Sequence, residues 1–354
     1  MQILQTLGVA LGLASLAGLN LYLTVFITGL AIQQHWVDVS QTYPELAVLA
    51  HPAVLIVSGV LYLLQFFADK IPWVDSLWDA VHTFIRPIGG AFLALRAMDG
   101  LLGHTDPTME VVGALLAGSV TLTTHTMKAS TRLVVNHSPE PFSNIALSVG
   151  EDVAVFGGLM LIKHDPFLAL IVFTAVLLLF AYLAPKIFRG AKVQLWLIWK
   201  KISSPASDKL QKEFSKTLPE ELEIPFFTVN LERDPIAWVA PCVSTSARGL
   251  PGNLFGFLVT TERPGPKFAF LAQRRWRHAA VELDLTGFRV AHEPRFLSEN
   301  VALYQQEKKP KYVFLFARSQ RAIAKAVVAS LEERLGASRP AAEEPARTEE
   351  PALS

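Results

Sequence analysis

Cysteine is almost missing from this chain, with Cys242 the only one in 354 residues. A single thiol excludes an internal disulfide framework and any metal site built from several cysteines, and it suits a domain facing a reducing cytosol. Charge is missing from the beginning: no Asp, Glu, Lys or Arg stands between Met1 and Val37. A cleavable secretory signal would open on a basic stretch and carry an apolar core of about 7 to 15 residues, so this longer uncharged run reads as a membrane segment. An excess of one sign is missing too. The formal net charge is +1, and no nucleic-acid partner is expected.

Enzyme signatures are also wanting. There is no P-loop, HExxH or GxSxG run. Asp99-Gly100 is followed by Leu-Leu-Gly-His, not by the rest of the DGxxAR run of a CDP-alcohol phosphotransferase, and Arg86-Pro87 lacks the SGH that a lipid phosphatase of the haloperoxidase type requires. Catalysis is not expected, and neither a cofactor nor a metal is implied.

What the chain does have is apolar length. Hydrophobic residues make up 51%, yet from Lys186 onward charges of both signs come every few residues, so two solvents are implied, lipid first and water second. A spanning helix needs roughly 20 apolar residues. Residues 4–33, 52–68, 111–127, 142–162 and 166–185 meet or approach this, and 87–103 is a weaker sixth, with Arg96 and Asp99 inside it. The first run exceeds one crossing, and Ala17-Gly18 beside Asn20 marks a tilted or a broken helix.

Lys and Arg set the orientation. Lys186, Arg189, Lys192, Lys200 and Lys201 follow the last span, which places its end in the cytoplasm. Counting back through six crossings puts both termini inside, together with Lys70, Arg86, Lys128 and Arg132. The loops around 34–51 and 104–110 carry acids and no Lys or Arg; Lys163 is a mild exception. The expected location is the bacterial inner membrane, multi-pass.

Residues 14–24, ASLAGLNLYLT, and 114–124, ALLAGSVTLTT, repeat at an offset of 100. If the first and fourth spans correspond, each half holds three crossings and the second is inverted, a plan common in transporters. Alternatively, Ala-Gly steps simply let helices pack closely.

Charges in the apolar half are the candidate site. A helix beginning near Val74 places Asp75, Asp79, His82 and Arg86 on one face at spacings of 4, 3 and 4, with Leu77, Val81, Phe84 and Ile88 opposite. That face turns either inward or to water, and Trp73 and Trp78 suit an interfacial depth. Glu151 and Asp152 fall near the centre of the fifth span, where an ionised carboxylate costs about 2.5 to 3.5 kcal/mol on insertion scales. They demand partners. The expected polar cluster is Asn20, Asp69, Lys70, Asp75, Asp79, Arg86, Lys128, Arg132, Glu151 and Asp152, and the alternative is an ion-pair network that only fixes packing.

The run ADKIPWVDSLWDAVHTFIRPIGGA, with ASLAGLNLYLT before it and SVGEDVAV after it, resembles a bacterial membrane family catalogued as domain of unknown function 4126, over about residues 5–190. The resemblance implies a membrane domain. It assigns no activity, and no catalytic residue is carried over.

Beyond it, KIFRGAKVQLWLIWKKI (186–202) joins basic residues to aromatics, so Lys186, Arg189, Lys192, Trp196 and Trp199 read as an interfacial helix on the anionic leaflet. A polar linker to about 224 follows. Beta-prone runs at 236–247, 254–262, 267–274, 279–285, 288–292, 299–305 and 311–317, then a helix at 319–335, resemble a pleckstrin-homology-like barrel. Arg274, Arg275 and Arg277 are candidates for lipid contact or simple solvation, and the Ala-, Pro- and Glu-rich tail reads as disordered.

The expected architecture is therefore a polytopic α-helical membrane bundle of about six helices (1–188), an interfacial helix and linker (189–224), a cytoplasmic PH-like β domain (225–336) and a tail (337–354). The leading functional reading is a transporter or channel for a small ion or polar solute. The alternative is a membrane-anchored scaffold or sensor whose β domain binds a protein or lipid partner.

Overall fold

A computed structural model describes residues 2–37, 43–71, 74–102, 107–135, 141–204, 214–229, 234–245, 247, 249–263, 265, 267–274, 277–305 and 309–337. The chain divides into two compact units, Met1–Gln194 and Leu195–Ser354.

The first unit is helical: α1 (Gln2–Gln33), a 3₁₀ segment (Pro44–Ala50), α2 (Pro52–Ala68), α3 (Val74–Leu102), α4 (Pro107–Val135), α5 (Pro141–His164) and α6 (Pro166–Ser203), the last running on into the second unit. Proline opens α2, α4, α5 and α6, a position whose N–H has no acceptor inside the helix. Caps sharpen two of these starts. His51 accepts from the Ala53 N–H at 3.2 Å, and Asp165 Oδ1 accepts from the N–H groups of Phe167 and Leu168, both at 3.0 Å.

Helix α1 packs against α2, α3, α4 and α5, and its Leu13, Leu16 and Ala17 bury with Leu93, Ala97 and Val155. Two glycines let backbones come this close. A Cβ on Gly18 would lie 1.7 Å from Thr124 Oγ1 and 2.6 Å from the Thr121 carbonyl, and one on Gly90 2.0 Å from Thr121 Oγ1. The two repeat-like segments thus touch each other, with Thr121 Oγ1 donating to the Ala14 carbonyl at 2.8 Å.

Two expected boundaries are corrected. The weak span at 87–103 does not begin at Pro87: α3 is one helix from Val74 to Leu102 with that proline inside it. Likewise the sixth span and the basic helix at 186–202 are one helix through Pro185. A proline in a helix interior removes one hydrogen bond but does not force a stop when the flanking turns are packed. In α3 those turns carry Asp75, Asp79, His82 and Arg86, all buried.

The apolar and charged faces of α3 are inverted relative to a helix in water. Phe84 and Ile88 are 77% and 73% exposed, whereas Asp75 and Arg86 are 0% exposed. The charged face turns inward, so the wet alternative does not hold. Trp78 stacks on His82 at 4.5 Å; Trp73 lies outside the described residues.

By length and apolarity, three described helices could cross a membrane (Gln2–Gln33, Ile145–His164 and Pro166–Ser203), and the bent pair Pro44–Ala50 with Pro52–Ala68 could be a fourth. Helices α3 and α4 stay below that apolarity, α3 through its charges and α4 through Thr121, Thr123, Thr124, His125 and Thr126.

In the second unit, α7 (Glu220–Val229) precedes β1 (Ile236–Ser244), β2 (Leu254–Thr261), β3 (Lys267–Arg274), β4 (Arg277–Asp284), β5 (Arg289–Pro294), β6 (Ser298–Tyr304), β7 (Tyr312–Ala317) and α8 (Arg321–Ala337). The strands form one curled antiparallel sheet of order β4-β3-β2-β1-β7-β6-β5. This is the element order of the expected PH-like plan. Asn253 (φ 57°) and Gly287 (φ 75°) take the left-handed conformation before β2 and between β4 and β5. Trp238, Phe268, Phe270, Phe314 and Phe316 pack with Val327 and Leu331 of α8, and Trp238 Nε1 donates to Ser330 Oγ at 2.9 Å.

Helix α7 corrects the linker reading. Glu220, Glu221 and Glu223 complement the positive end of its first turn, while Leu222 and Phe226 bury against Val239, Val259 and Leu271. Arg275, the side chains of Arg274 and Arg277, and the tail from residue 338 lie outside the described residues.

Candidate functional site

The site begins with a break in α1. Asn20 has φ −150° and ψ 94°, outside the helical region, in the middle of an otherwise helical run. An asparagine with these angles can cap a new helix, and it does: its Oδ1 accepts the Leu23 N–H at 3.1 Å. Thr24 Oγ1 closes the turn by donating to the Asn20 carbonyl at 2.7 Å. The half-helix before the break ends on carbonyls, and those of Gly18 and Leu19 turn to cations. Arg86 Nη1 donates to them at 2.9 and 3.0 Å, and Lys128 Nζ donates to Leu19 O at 2.9 Å. Both cations therefore sit at the negative end of a helix dipole.

Carboxylates complete the cluster. Arg132 meets Glu151 twice, Nε to Oε1 at 3.0 Å and Nη2 to Oε2 at 2.5 Å, a bidentate pair. It also reaches Asp69, with Nη1 to Oδ1 at 3.1 Å and Nη2 to Oδ2 at 3.2 Å, and lies 3.8 Å from Asp75 Oδ2. Lys128 Nζ lies 3.0 Å from Glu151 Oε2 and 3.7 Å from Asp69 Oδ2. Arg86 Nη2 is 3.4 Å from Asp79 Oδ1.

Asp152 differs from the others because neutral donors hold it: Asn20 Nδ2 at 3.0 Å and the Tyr62 hydroxyl at 3.1 Å. Lys70 stands at the margin, donating to the Phe66 carbonyl at 3.1 Å with its ammonium over the Phe66 ring. The structure thus gathers Asn20, Asp69, Asp75, Asp79, Arg86, Lys128, Arg132, Glu151 and Asp152 from five helices or their ends.

Several participants were not foreseen. His125 Nδ1 accepts from Arg86 Nη1 at 3.0 Å, so the ring proton is on Nε2, which donates to the Asp79 carbonyl at 3.0 Å. Spacing could have signalled it, since His125, Lys128 and Arg132 follow one another at 3 and 4 residues. The same holds for Tyr62, Gln65 and Asp69, where Gln65 Nε2 donates to Asp69 Oδ2 at 3.5 Å. Tyr22, also unforeseen, pairs at 2.8 Å with His82, which the sequence had placed on the charged face of α3.

The arrangement carries more acid than base. Asp69, Asp75, Asp79, Glu151 and Asp152 face Arg86, Lys128 and Arg132 with Lys70 at the margin, five against four among the described residues. Among the described residues no group of three or more His, Cys, Asp and Glu side chains is placed to hold a metal ion. A cavity of about 230 Å³ lies elsewhere in the unit, lined by residues including Val9, Leu13, Leu46, Leu159 and Lys163, and the charge cluster does not line it.

Of the residues read as interfacial, Lys186, Lys192 and Trp199 are exposed on α6, Arg189 is half-buried, and Trp196 meets Phe255 edge-on at 5.2 Å.

Solved structures that align with the chain include a truncated linker-DH/PH fragment of p115-RhoGEF, at 11% identity over 96% of this chain and 99% of that one with a TM-score of 0.24. A mutant of the DH/PH domains of the same protein aligns at 11% identity, with the same coverage and a TM-score of 0.25. Likeness at that level carries no argument. No curated protein matches the chain. Residues 7–186, more than half of the chain, match the family described as a domain of unknown function, DUF4126, and the chain belongs to that family.

Proposed function

We propose that the chain is a multi-pass membrane protein of the bacterial inner membrane, with both termini cytoplasmic, whose helical unit carries a small ion or polar solute. The observation that carries this reading is the break at Asn20, set among buried charges. A helix interrupted at mid-length exposes backbone carbonyls, and transporters use such carbonyls and half-helix ends to hold ions. Buried ionisable groups in apolar helices are costly, and function is the usual reason for keeping them.

The distribution of apolar surface supports the lipid setting. Ile56, Val60 and Leu63 on α2, Phe84 and Ile88 on α3, and Leu178 and Leu179 on α6 are exposed, while Asp69, Asp75, Asp79, Arg86, Lys128 and Arg132 are buried and Glu151 and Asp152 half-buried. Water penalises that pattern and lipid rewards it. No catalytic role is proposed.

The test is cation and solute flux into proteoliposomes containing the full chain, compared with E151Q and D152N variants shown to fold. Flux above empty vesicles that either variant abolishes is the expected result; vesicles as tight as protein-free ones refute it. A second reading draws on the C-terminal sheet, which has its own core. In that reading the bundle anchors a scaffold, and a protein or lipid partner that co-purifies through residues 225–335 of a non-conducting chain favours it.

A further inference from the structure

The break at Asn20 brings the two halves of α1 round a common cavity. Val9 and Leu13 before the break and Ile27, Thr28, Ala31 and Ile32 after it all line the space of about 230 Å³. In an unbroken helix Leu13 and Ile27 would stand about 21 Å apart, at about 1.5 Å per residue. Apart from Thr28, Tyr43 and Lys163 the lining side chains are apolar, and no acid is among them. Tyr43 is already engaged with the Thr6 side chain. The other two polar groups are unspent. Thr24, Thr83, Thr123 and Thr126 each donate to the carbonyl four residues back, whereas the Thr28 hydroxyl is buried with no hydrogen-bond partner. Lys163 has no ion-pair or hydrogen-bond partner among the described residues. Acids close to the lining in sequence are engaged elsewhere: Asp165 caps α6, and Glu45 is held by Arg96 at 2.9 Å.

We infer that this cavity binds the alkyl chain of a single-chain anionic amphiphile, whose carboxylate or phosphate oxygens are taken by Lys163 with Thr28 as a second donor. Both unspent groups are donors, so the missing partner is an acceptor, and the ammonium selects a negative one. Water does not suit the space, because a buried water makes about three hydrogen bonds and these walls are apolar almost throughout. An uncharged chain leaves the donors unanswered, and a cationic one is repelled by Lys163. The volume falls below the roughly 300 to 1,000 Å³ of sites that enclose a drug-sized ligand, so one chain enters and a two-chain lipid does not fit whole. The charge cluster shares none of these residues, and the site stands or falls apart from the transport reading.

The test uses the full chain in phosphatidylcholine nanodiscs and a stearic acid carrying a photoreactive diazirine at mid-chain, with adducts mapped by peptide mass spectrometry. Saturable adducts within 9–13, 27–32 and 159–162 are expected, against non-saturable labelling at Val153 and Phe156, which are exposed on α5. K163E, a change at an exposed position, should lower the saturable yield at sub-saturating probe by roughly tenfold or more, the equivalent of one charge-assisted hydrogen bond, and raise the yield of the matching long-chain amine. T28V removes a hydroxyl that has no partner in the free protein, so its unfolding midpoint without ligand should hold while its labelling falls. Labelling at the cavity no more saturable than at Val153 overturns the inference, as does a K163E protein that labels like wild type with both probes. A T28V protein that labels like wild type overturns the assignment of that hydroxyl. Displacement by unlabelled palmitate alone identifies a free fatty acid, and stronger displacement by lysophosphatidylglycerol identifies a lysophospholipid; displacement by neither overturns the site.

Discussion

Replacing Asn20 separates the two tasks of that side chain. Its Oδ1 caps the second half of α1 through the Leu23 N–H, and its Nδ2 donates to the Asp152 carboxylate. Losing an asparagine cap to alanine costs about 0.5 to 2 kcal/mol. A hydrogen bond to a charged group is worth roughly 1.5 to 3 kcal/mol net. N20A should therefore lose about 2 to 5 kcal/mol, and more if alanine lets the helix close and withdraws the Gly18 and Leu19 carbonyls from Arg86 and Lys128. N20S keeps a cap and drops only the donor, so its loss should be about 1.5 to 3 kcal/mol. N20D gives the sharpest result. Aspartate caps as well as asparagine, so a role confined to capping predicts near wild-type stability. Beside Asp152 it replaces an attractive contact with two facing carboxylates, and N20D should then be no more stable than N20A at neutral pH. The assay is equilibrium unfolding of the full chain in mixed micelles, read by tryptophan fluorescence. An N20D protein as stable as wild type, with N20A within about 0.5 kcal/mol of it, would refute the reasoning.

Close packing at Gly18 predicts that G18A loses about 1 to 3 kcal/mol by overpacking, because a Cβ there meets the Thr121 backbone as well as Thr124. G150A, with nothing within 4 Å of its Cβ, should gain up to about 1 kcal/mol on the same unfolding curve; equal effects at both positions would refute the packing argument. Cys242 is buried in β1 and burial pushes its thiol well above the ordinary range, so the native full chain should resist maleimide and react once, with unfolding of the β unit. Rapid native labelling would contradict that burial. Asp284 accepts from the Thr286 N–H at 2.9 Å and hydroxyl at 2.6 Å, which holds its carboxyl below the usual value. A depressed folded value means stability present above about pH 4 and lost as pH falls through it, so the penalty of T286A should shrink on acidification; a pH-independent penalty would count against it.

Elements bounded by strong punctuation were legible in the sequence. Residues 52–68 were readable to the residue, since Pro52 opens the helix and Asp69-Lys70 follow it. The seven strands were legible because turn residues divide them, and helix α8 came within two residues of its expected ends. Prolines in helix interiors were not legible. Pro87 and Pro185 read as boundaries, yet the helices run through them, a consequence of packing that local sequence does not encode. Helix α7 was hidden because it is only ten residues long with Pro225 inside it, and its burial depends on strands far away in sequence.

The membership of the charge cluster was largely readable, but its wiring was not. Glu151 and Asp152 read as one adjacent pair. Neighbours on a helix point about 100° apart, so they cannot address the same partner. Glu151 turns to Arg132 and Lys128, and Asp152 turns to Asn20 and Tyr62. One acid is neutralised by charge and the other is held by neutral donors beside the start of a half-helix. Removing Glu151 leaves two cations short of an anion, whereas removing the charge of Asp152 leaves two neutral donors with a weaker acceptor. The first change disturbs the balance of the cluster, while the second disturbs the break in α1. Any function that depends on moving charge must therefore respond differently to E151Q and D152N, even though the two residues are adjacent in sequence.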